Sequence, residues 1–529
     1  MTILFDTIPS GIRRPSNNIE FNTRMAVHSL PANVKKLMLL GQKIKDPSAH
    51  ATTHAYLEGA IVNPATANGH LYFCVTAGTS GGTAPTWPTA LGGEVTDGAV
   101  VWKEFSTDNV LTAKRIVKQL FSDNDAAAFF GYGSMLHRMA LAALRSNPYL
   151  NIFAIAEDDG AGVNASGTYT VTGTPTASGY VRAFVGKEFV EISFTTADTP
   201  TTIALAIKNA IAAKPALPVV AKSVEGVTTA IFKHAGTVGN QYALNVEYTQ
   251  GAGIAITAAG LASGTIDPDI HAAGSLLDKI APTRYHRIAT PYNDSTSLGY
   301  TKDHAIFVSG PIEKRSSVII AAMVNTIASA QTIADGLNDG RTLLGLVKAN
   351  KAPACEIAAG VGAVECAFSD PALPRNDAEI KAAATVAPSE NFTNTEIETC
   401  LHHGITPIYM DDSGAMLISR AITTFQTNES LLDITTIDSM DYTRDVMTAA
   451  HAMFKKMKGT DRTLDALLSI TKGRLYMLQD EGVLRKIDDY IEELKLEEGT
   501  EAGEYRMEIP APVVPGLHVL NEKIILHLN

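Results

Sequence analysis

Cysteine is scarce in this sequence: four in 529 residues, Cys74, Cys355, Cys366 and Cys400. None forms a C-x-x-C pair, and a chain of this length needs no covalent stapling. A disulfide framework is therefore excluded, and the four are read as reduced thiols of a cytosolic protein. Cys355 and Cys366 are read as small buried hydrophobes rather than a metal pair. Positive charge is in deficit as well. Lys and Arg number 43 against 55 Asp and Glu, a net charge of −12. General nucleic-acid binding, which needs clustered cations, is not expected. Long apolar runs are missing. SVIIAAMV at 317–324 falls far short of the about 20 residues that cross a bilayer, so no direct membrane insertion is expected. The opening MTILFDTIPSGIRRPS has no charged segment followed by an apolar stretch, so no signal peptide is expected. The protein should be soluble and made in the cytoplasm.

Catalytic signatures are absent too. There is no G-x-x-x-x-G-K-[ST] loop. Gly131-Tyr132-Gly133 precedes a helix, but position 136 is Leu136 and no strand leads into the turn, so the glycines are read as packing positions. His402 and His403 are adjacent and point about 100° apart on a helix, a poor chelating geometry. Asp411-Asp412-Ser413-Gly414 suits a hairpin turn. Ser134 and Ser309 lie near glycines but not in a G-x-S-x-G elbow. The acidic run at 488–501 is read as a solvated helix face. No catalytic set, cofactor or metal site is assigned.

What is present is an ordinary globular balance, 45% hydrophobic and 19% charged, enough for about three to five domains. The texture alternates, without a short internal repeat. Residues 1–20, punctuated by Pro9, Gly11 and Pro15, read as an arm with unpartnered Ile3, Leu4 and Phe5. VKKLMLLGQKI (34–44) is a buried strand. Residues 50–108 are turn-rich with strand-like pieces and hold both tryptophans, Trp87 and Trp102, which marks a small β module. TAKRIVKQLFSDND spaces Ile116, Val117, Leu120 and Phe121 as a helix does. GSMLHRMALAALRSNP is a helix capped by Ser134 and closed by Asn147-Pro148, and NIFAIAEDD (151–159) is a buried parallel strand. Residues 160–265 form a β-rich or α+β insertion with one helix, whose apolar face is Ile203, Ala206, Ile207 and Ile211. Then LLDKIAP reads as helix, HAIFVSG as strand, and EKRSSVIIAAMVNTIASA as helix. Residues 386–529 are a last α+β block: a helix, the hairpin TPIYMDDSGAMLISRAITTF, further helices, and a closing strand from Lys523. In that strand Ile524, Leu526 and Leu528 share one side. A strand with nothing following it keeps unpaired N–H and C=O groups on at least one edge.

Several of these stretches together resemble one family. DNDAAAFFGYGSMLHRMALAALRSNPYLNIFAIAEDD, YHRIATPYND, FSDPALPRN, FTNTEIETCLHHGITPIYMDDSGAMLISRAITTFQTN and LLDITTIDSMDYTRDVMTAA occur in the order seen in the sheath proteins of contractile phage tails of the Mu type. The resemblance covers about two thirds of the chain, including the arm FDTIPSGIRRPS. Its pattern departs at 50–108, which resembles a small β module found in phage structural proteins, and at 471–529, which is only loosely sheath-like.

The resemblance implies an α/β core (21–49, 109–159 and 266–385) interrupted by the module at 50–108 and the insertion at 160–265. It is preceded by the arm (1–20) and followed by a C-terminal α+β domain (386–529) that ends in a donated strand. It implies a structural protein rather than an enzyme: a homo-oligomer of hexameric rings stacked in a helix around a tail tube. Baseplate and tail terminator proteins would be its further partners, and the virion its place after assembly in the host cytoplasm. Contraction would drive the tube through the host envelope. The C-terminal domain would lie innermost, with Arg474, Arg485 and Lys486 as tube contacts, and the insertions outermost. The strand (Ile524, Leu526, Leu528) and the arm (Ile3, Leu4, Phe5) would pair with sheets of neighbouring subunits. The alternative is a glycan-binding virion surface protein in which Trp87 and Trp102 stack on sugar. A third reading, an α/β enzyme with an unusual site, lacks any clustered catalytic set.

Overall fold

The computed structural model describes residues 35–45, 47–56, 59–90, 92–106 and 114–527. These fall into two compact units, 35–438 with 515–527, and 439–514. The first is a mixed α/β body with several sheets. Its nine-stranded central sheet is built, in chain order, from β1 (Lys36–Gln42), β2 (Lys118–Leu120), β3 (Asn151–Glu157), β4 (Arg287–Ala289), β5 (Val318–Val324), β6 (Thr342–Val347), β7 (Ala378–Glu379), β8 (Thr406–Met410) and β9 (Met416–Ile418). The spatial order is β7-β9-β8-β6-β5-β4-β1-β3-β2. The middle strands β8 to β3 run parallel, and antiparallel strands close both sides. Parallel strands are covered on both faces and so carry continuous apolar runs rather than alternation. LLGLV of β6 and VIIAAM of β5 are buried throughout.

The helix Ala354–Glu365 is buried along its whole length. Small residues let it lie close to the sheet. A Cβ on Gly362 would stand 2.8 Å from Leu37 Cδ1 and 3.6 Å from Ala289 Cβ, nearer to Leu37 than packed carbon atoms tolerate. The helix also brings in two carboxylates. Glu356 accepts from Arg138 Nε at 2.8 Å, with both side chains buried, and Glu365 meets Arg287 and Arg375. A buried carboxylate is tolerated when it is paired and hydrogen-bonded.

The two β-rich stretches are not loose appendages. Residues 160–265 form a four-stranded and a three-stranded sheet around the helix Pro200–Ala212. Their apolar residues are continuous with the core of the central sheet. Lys187 Nζ donates to Ala382 O at 2.8 Å, and Gln42 Nε2 donates to Ala235 O at 2.8 Å. The module holds a five-stranded sheet whose strand Leu71–Thr76 shows period-two alternation with both faces covered. Leu71, Phe73 and Val75 pack with Val220 and Ile231 of the 160–265 region. Tyr72 and Cys74 pack on Tyr56, Val100 and Trp102. Lys103, buried, donates to Ala221 O at 2.6 Å.

In the second unit, Val446 and Met447 of the helix Ile434–His451 pack with Leu475 and Leu478 of the helix Asp461–Asp480, and with Val483, Leu484 and Ile487. The hairpin Lys495–Glu498 with Tyr505–Glu508 completes the described part.

Several elements differ from the sequence reading. SVIIAAMV is strand β5 and not a helix, followed by the helix Ile327–Leu337 capped by Thr326. An apolar run buried on both sides has no periodicity to distinguish strand from helix. HAIFVSG is the end of the helix Ser295–Ser309, which Asp294 starts by accepting from the N–H groups of Thr296 and Ser297. Residues 118–120 form the edge strand β2, not a helix, and leave Ile116 and Phe121 exposed. Of the acidic run at 488–501, only the part up to Glu493 is helical, and Lys495–Glu498 is a strand. The hairpin 406–418, grouped above with the C-terminal block, is joined to the central sheet through β6.

Candidate functional site

The segment 515–527 has no helix or strand, and its large apolar side chains face solvent: Leu517, Val519, Leu520 and Ile525, with Ile524 92% and Leu526 78% exposed. The strand expected from Lys523 is therefore not formed in the isolated chain. A strand exists through its pairing, and among the described residues none pairs with it. Leu528 lies outside the described residues, as do Ile3, Leu4 and Phe5 and all of the 1–20 arm.

The start of the segment is held. His518 Nδ1 is 3.2 Å from Asn376 Oδ1, and its Nε2 is 3.4 Å from Asp433 Oδ1. Asp433 is fixed in turn by a two-pronged contact with Arg420, Nε to Oδ1 at 2.8 Å and Nη2 to Oδ2 at 2.7 Å, the arrangement in which a guanidinium fixes a carboxylate most firmly. Burial pushes the His518 imidazole below its ordinary pKa, with Asp433 opposing and Arg420 assisting.

Beside Asn376 lies a buried charge cluster. Asp438 receives Lys35 Nζ at 2.7 Å, Arg287 Nη2 at 2.9 and 2.8 Å, and Arg375 Nη2 at 2.6 Å. Glu365 stands 3.2 Å from Arg287 Nη2 and 3.5 Å from Arg375 Nε. Burial opposes ionisation of Asp438, but the three cations overcome it and hold the carboxyl well below its usual range. Burial lowers the Lys35 pKa, with Asp438 opposing. Sequence reading missed this cluster, because its members are hundreds of positions apart and no local pattern joins them.

The other singled-out residues fall as follows. Trp102 is fully buried. Its Nε1 donates to Asp97 Oδ2 at 3.1 Å, and the same oxygen is 2.7 Å from His50 Nε2. Trp87 is half-buried, with its ring 4.3 Å from that of Tyr72. Stacking on a sugar needs a free aromatic face, which Trp102 does not offer. Arg485 and Lys486 are exposed on a turn, where Lys486 adopts a left-handed φ of 51°. Arg474 is half-buried on the preceding helix, its Nη1 3.2 Å from Met477 Sδ. Cys355 and Cys366 sit at opposite ends of one helix, roughly 16 Å apart at helical rise. Burial pushes both thiols up to about 12. Gly131 and Gly133 take φ of 91° and 70° at contacts with Ile44 and Leu217. His402 is exposed, and His403 Nδ1 is 3.3 Å from Asp335. Asp411 caps its own turn, accepting from the N–H of Ser413 and of Ala415. Among the described residues, no three His, Cys, Asp or Glu side chains are grouped to hold a metal ion.

The described residues show a buried scaffold and an apolar segment open to solvent. Comparison with known proteins adds the following. Residues 264–424 match the family described as phage tail sheath protein central domain. More particularly, the chain is similar to the Mu-like prophage FluMu tail sheath protein of Haemophilus influenzae, 24% identical over 460 residues, 84% of this chain and 80% of that one. The matched relatives are structural sheath proteins, not enzymes. Among solved structures, a sheath tail protein of Desulfitobacterium hafniense aligns over 95% of this chain and 97% of its own, at 13% identity with a TM-score of 0.47. One of Listeria innocua aligns over 76% and 90%, at 12% identity with a TM-score of 0.45.

Proposed function

We propose that this chain is the sheath subunit of a contractile phage tail. It polymerises as hexameric rings stacked in a helix around the tail tube, bounded by baseplate and tail terminator proteins. Contraction of that array drives the tube through the host envelope. The observation that supports the reading is the match of residues 264–424 to the sheath central domain family, within a similarity that spans 84% of the chain.

The exposed segment supports an assembly role. Ile524 and Leu526 are largely exposed to water, a liability unless another chain covers them. In the proposed array the strand Ile524, Leu526 and Leu528, and the arm with Ile3, Leu4 and Phe5, add to sheets of neighbouring subunits. Main-chain hydrogen bonds supply the affinity and alternate side chains the register. The acceptor we assign is the hairpin Lys495–Glu498 with Tyr505–Glu508. Among the described residues it is a sheet of only two strands, and such a sheet is marginal until a third strand joins it. Arg474, Arg485 and Lys486 are assigned to the tube. The array stores its energy in metastable contacts, so no nucleotide site enters the mechanism.

Negative-stain electron microscopy of the full chain, beside a version truncated after Pro515, tests this, each alone and with the tail tube protein. Hollow tubes from the full chain and small particles from the truncation are expected. Discrete monomers from both, with the tube protein present, would overturn the reading.

A further inference from the structure

The unit 439–514 keeps its surface charges apart. Between positions 455 and 462 stand Lys455, Lys456, Lys458 and Arg462 against one carboxylate, Asp461. Between 488 and 508 stand nine Asp and Glu against Lys495 and Arg506. Both stretches are largely exposed. Among the described residues, Arg506 with Glu504 at 3.0 Å is the one ion pair in either stretch, and none of the four cations at 455–462 has a partner. The Tyr505 hydroxyl donates to Gly459 O at 3.3 Å, so both stretches belong to one compact surface whose charges are left unmatched within the copy. Each stretch also exposes apolar side chains: Met453 and Met457, at 54% and 49%, beside the cations, and Tyr490, at 41%, among the carboxylates.

We propose that the basic stretch 455–462 of one copy docks on the acidic stretch 488–508 of the next, with Met453 and Met457 covering Tyr490. This rests on the sheath reading above. Charge complementarity selects the occupant. Copies with a net charge of −12 repel one another in most orientations, and opposite patches steer them into one. The same chain carries both complementary surfaces, so a second copy matches each of them. The two surfaces differ, which makes the contact head-to-tail, and such a contact propagates where a two-fold one closes. The thioethers are flexible and settle favourably against an aromatic ring.

Exposed ion pairs are individually weak. Reversing two charges removes two attractions and adds two repulsions, together about tenfold in an assembly constant. Salt fixes the sign of the effect. The screening length shrinks from about 10 Å at 0.1 M to about 3 Å at 1 M. The attraction in the wild type and the repulsion in a reversed copy therefore both fade, and the difference between the two narrows.

The test compares the wild type with Lys455→Glu plus Lys456→Glu, with Glu492→Lys plus Glu493→Lys, and with all four substitutions in one chain. The tail tube protein is present throughout as a nucleus. Monomer melting temperature is measured, and the critical concentration for tubes by sedimentation at low and high salt. Each double variant should melt as the wild type does, since all four side chains are exposed. Each should raise the critical concentration about tenfold at low salt and by less at high salt. The four together should return it to the wild-type value, because reversed loop again meets reversed surface. A fourfold variant as defective as the doubles would overturn the proposal. That is the result expected if either stretch faces the tube, whose charges are not exchanged. Doubles that assemble like the wild type would overturn it too, as would a closed wild-type dimer, below the concentration for tubes, that both doubles abolish. If the wild type forms no tubes, the sheath reading itself falls, a separate outcome.

Discussion

The β module and the terminal segment are both strand-like stretches rich in large apolar residues, and they end in opposite states. In the module, Leu71, Phe73 and Val75 cover one side of a strand and Tyr72 and Cys74 the other, and all five are buried. Trp102 closes the second side at 4.7 Å from the Tyr56 ring. In the terminal segment, Ile524, Ile525 and Leu526 are exposed. Residue type does not separate the two. The difference is whether the chain itself supplies the second layer. The module finds one layer in its own aromatics and the other in Val220 and Ile231. Among the described residues, the terminal segment finds neither. Burial of each of its Ile and Leu side chains is worth about 1.5–3 kcal/mol, against about 1–2 kcal/mol of backbone entropy for each residue ordered. Under the proposed function, that free energy becomes available on assembly.

Acid should widen the contrast most. Burial holds His137 down to about 4, His286 to about 3 and His304 to about 4. Their folded pKa values lie below the unfolded value of about 6.5, so the fold binds fewer protons than the unfolded chain. The stability they contribute is full above pH 6.5 and is lost as pH falls toward 3–4. Glu188, held at about 2 against its burial by Arg138 first, with Lys214 and Arg145, adds a second loss below about pH 4.5. Melting temperature by calorimetry should fall steadily from pH 7 to pH 4. A flat profile across that range would show that these imidazoles are not buried as described.

Next in size is Trp102→Ala. It removes the largest buried side chain of the module and takes one donor from Asp97. A loss of about 3–5 kcal/mol in urea unfolding is expected. Tube formation below the shifted transition should persist, because Trp102 is placed in packing and not in assembly. Gly362→Ala should cost less, about 1–3 kcal/mol. The added carbon meets the flexible end of Leu37 rather than backbone, so the neighbour has room to yield.

The same contrast explains what could be read from the sequence. Local signals carried through. Ser134 caps its helix and accepts from the N–H of His137, Asn147 ends it, and NIFAIAE is a buried parallel strand. The hairpin turn at Asp411 and the helix Pro200–Ala212 also stand where its residues put them. Continuous apolar runs did not carry through. β5 and the last turns of Ser295–Ser309 exchange strand for helix, since Val318–Val324 is covered on both sides and HAIFVSG continues a helix whose start lies nine residues earlier. The charge cluster was illegible for a different reason. Lys35, Arg287, Glu365, Arg375 and Asp438 meet only after the sheet has folded. The module was recognisable as a unit, yet nothing local in LYFCVT shows that its second face is covered by Val220 and Ile231.

The smallest effect on folding belongs to Leu526→Ala, and it is the most discriminating. The side chain is 78% exposed, so monomer stability should move by no more than about 0.5 kcal/mol. If a neighbouring subunit buries that side chain, its truncation should weaken each joint by about 2–5 kcal/mol. The critical concentration for tubes would then rise by at least about tenfold, since 1.4 kcal/mol is a factor of ten. Leu517→Ala, close to the held root and equally exposed in the free chain, is the control, with little effect on either measurement if the paired stretch begins beyond it. Equal, small effects of both substitutions on assembly would mean that the apolar run is not what a neighbour covers, and the contrast with the module would lose its functional meaning.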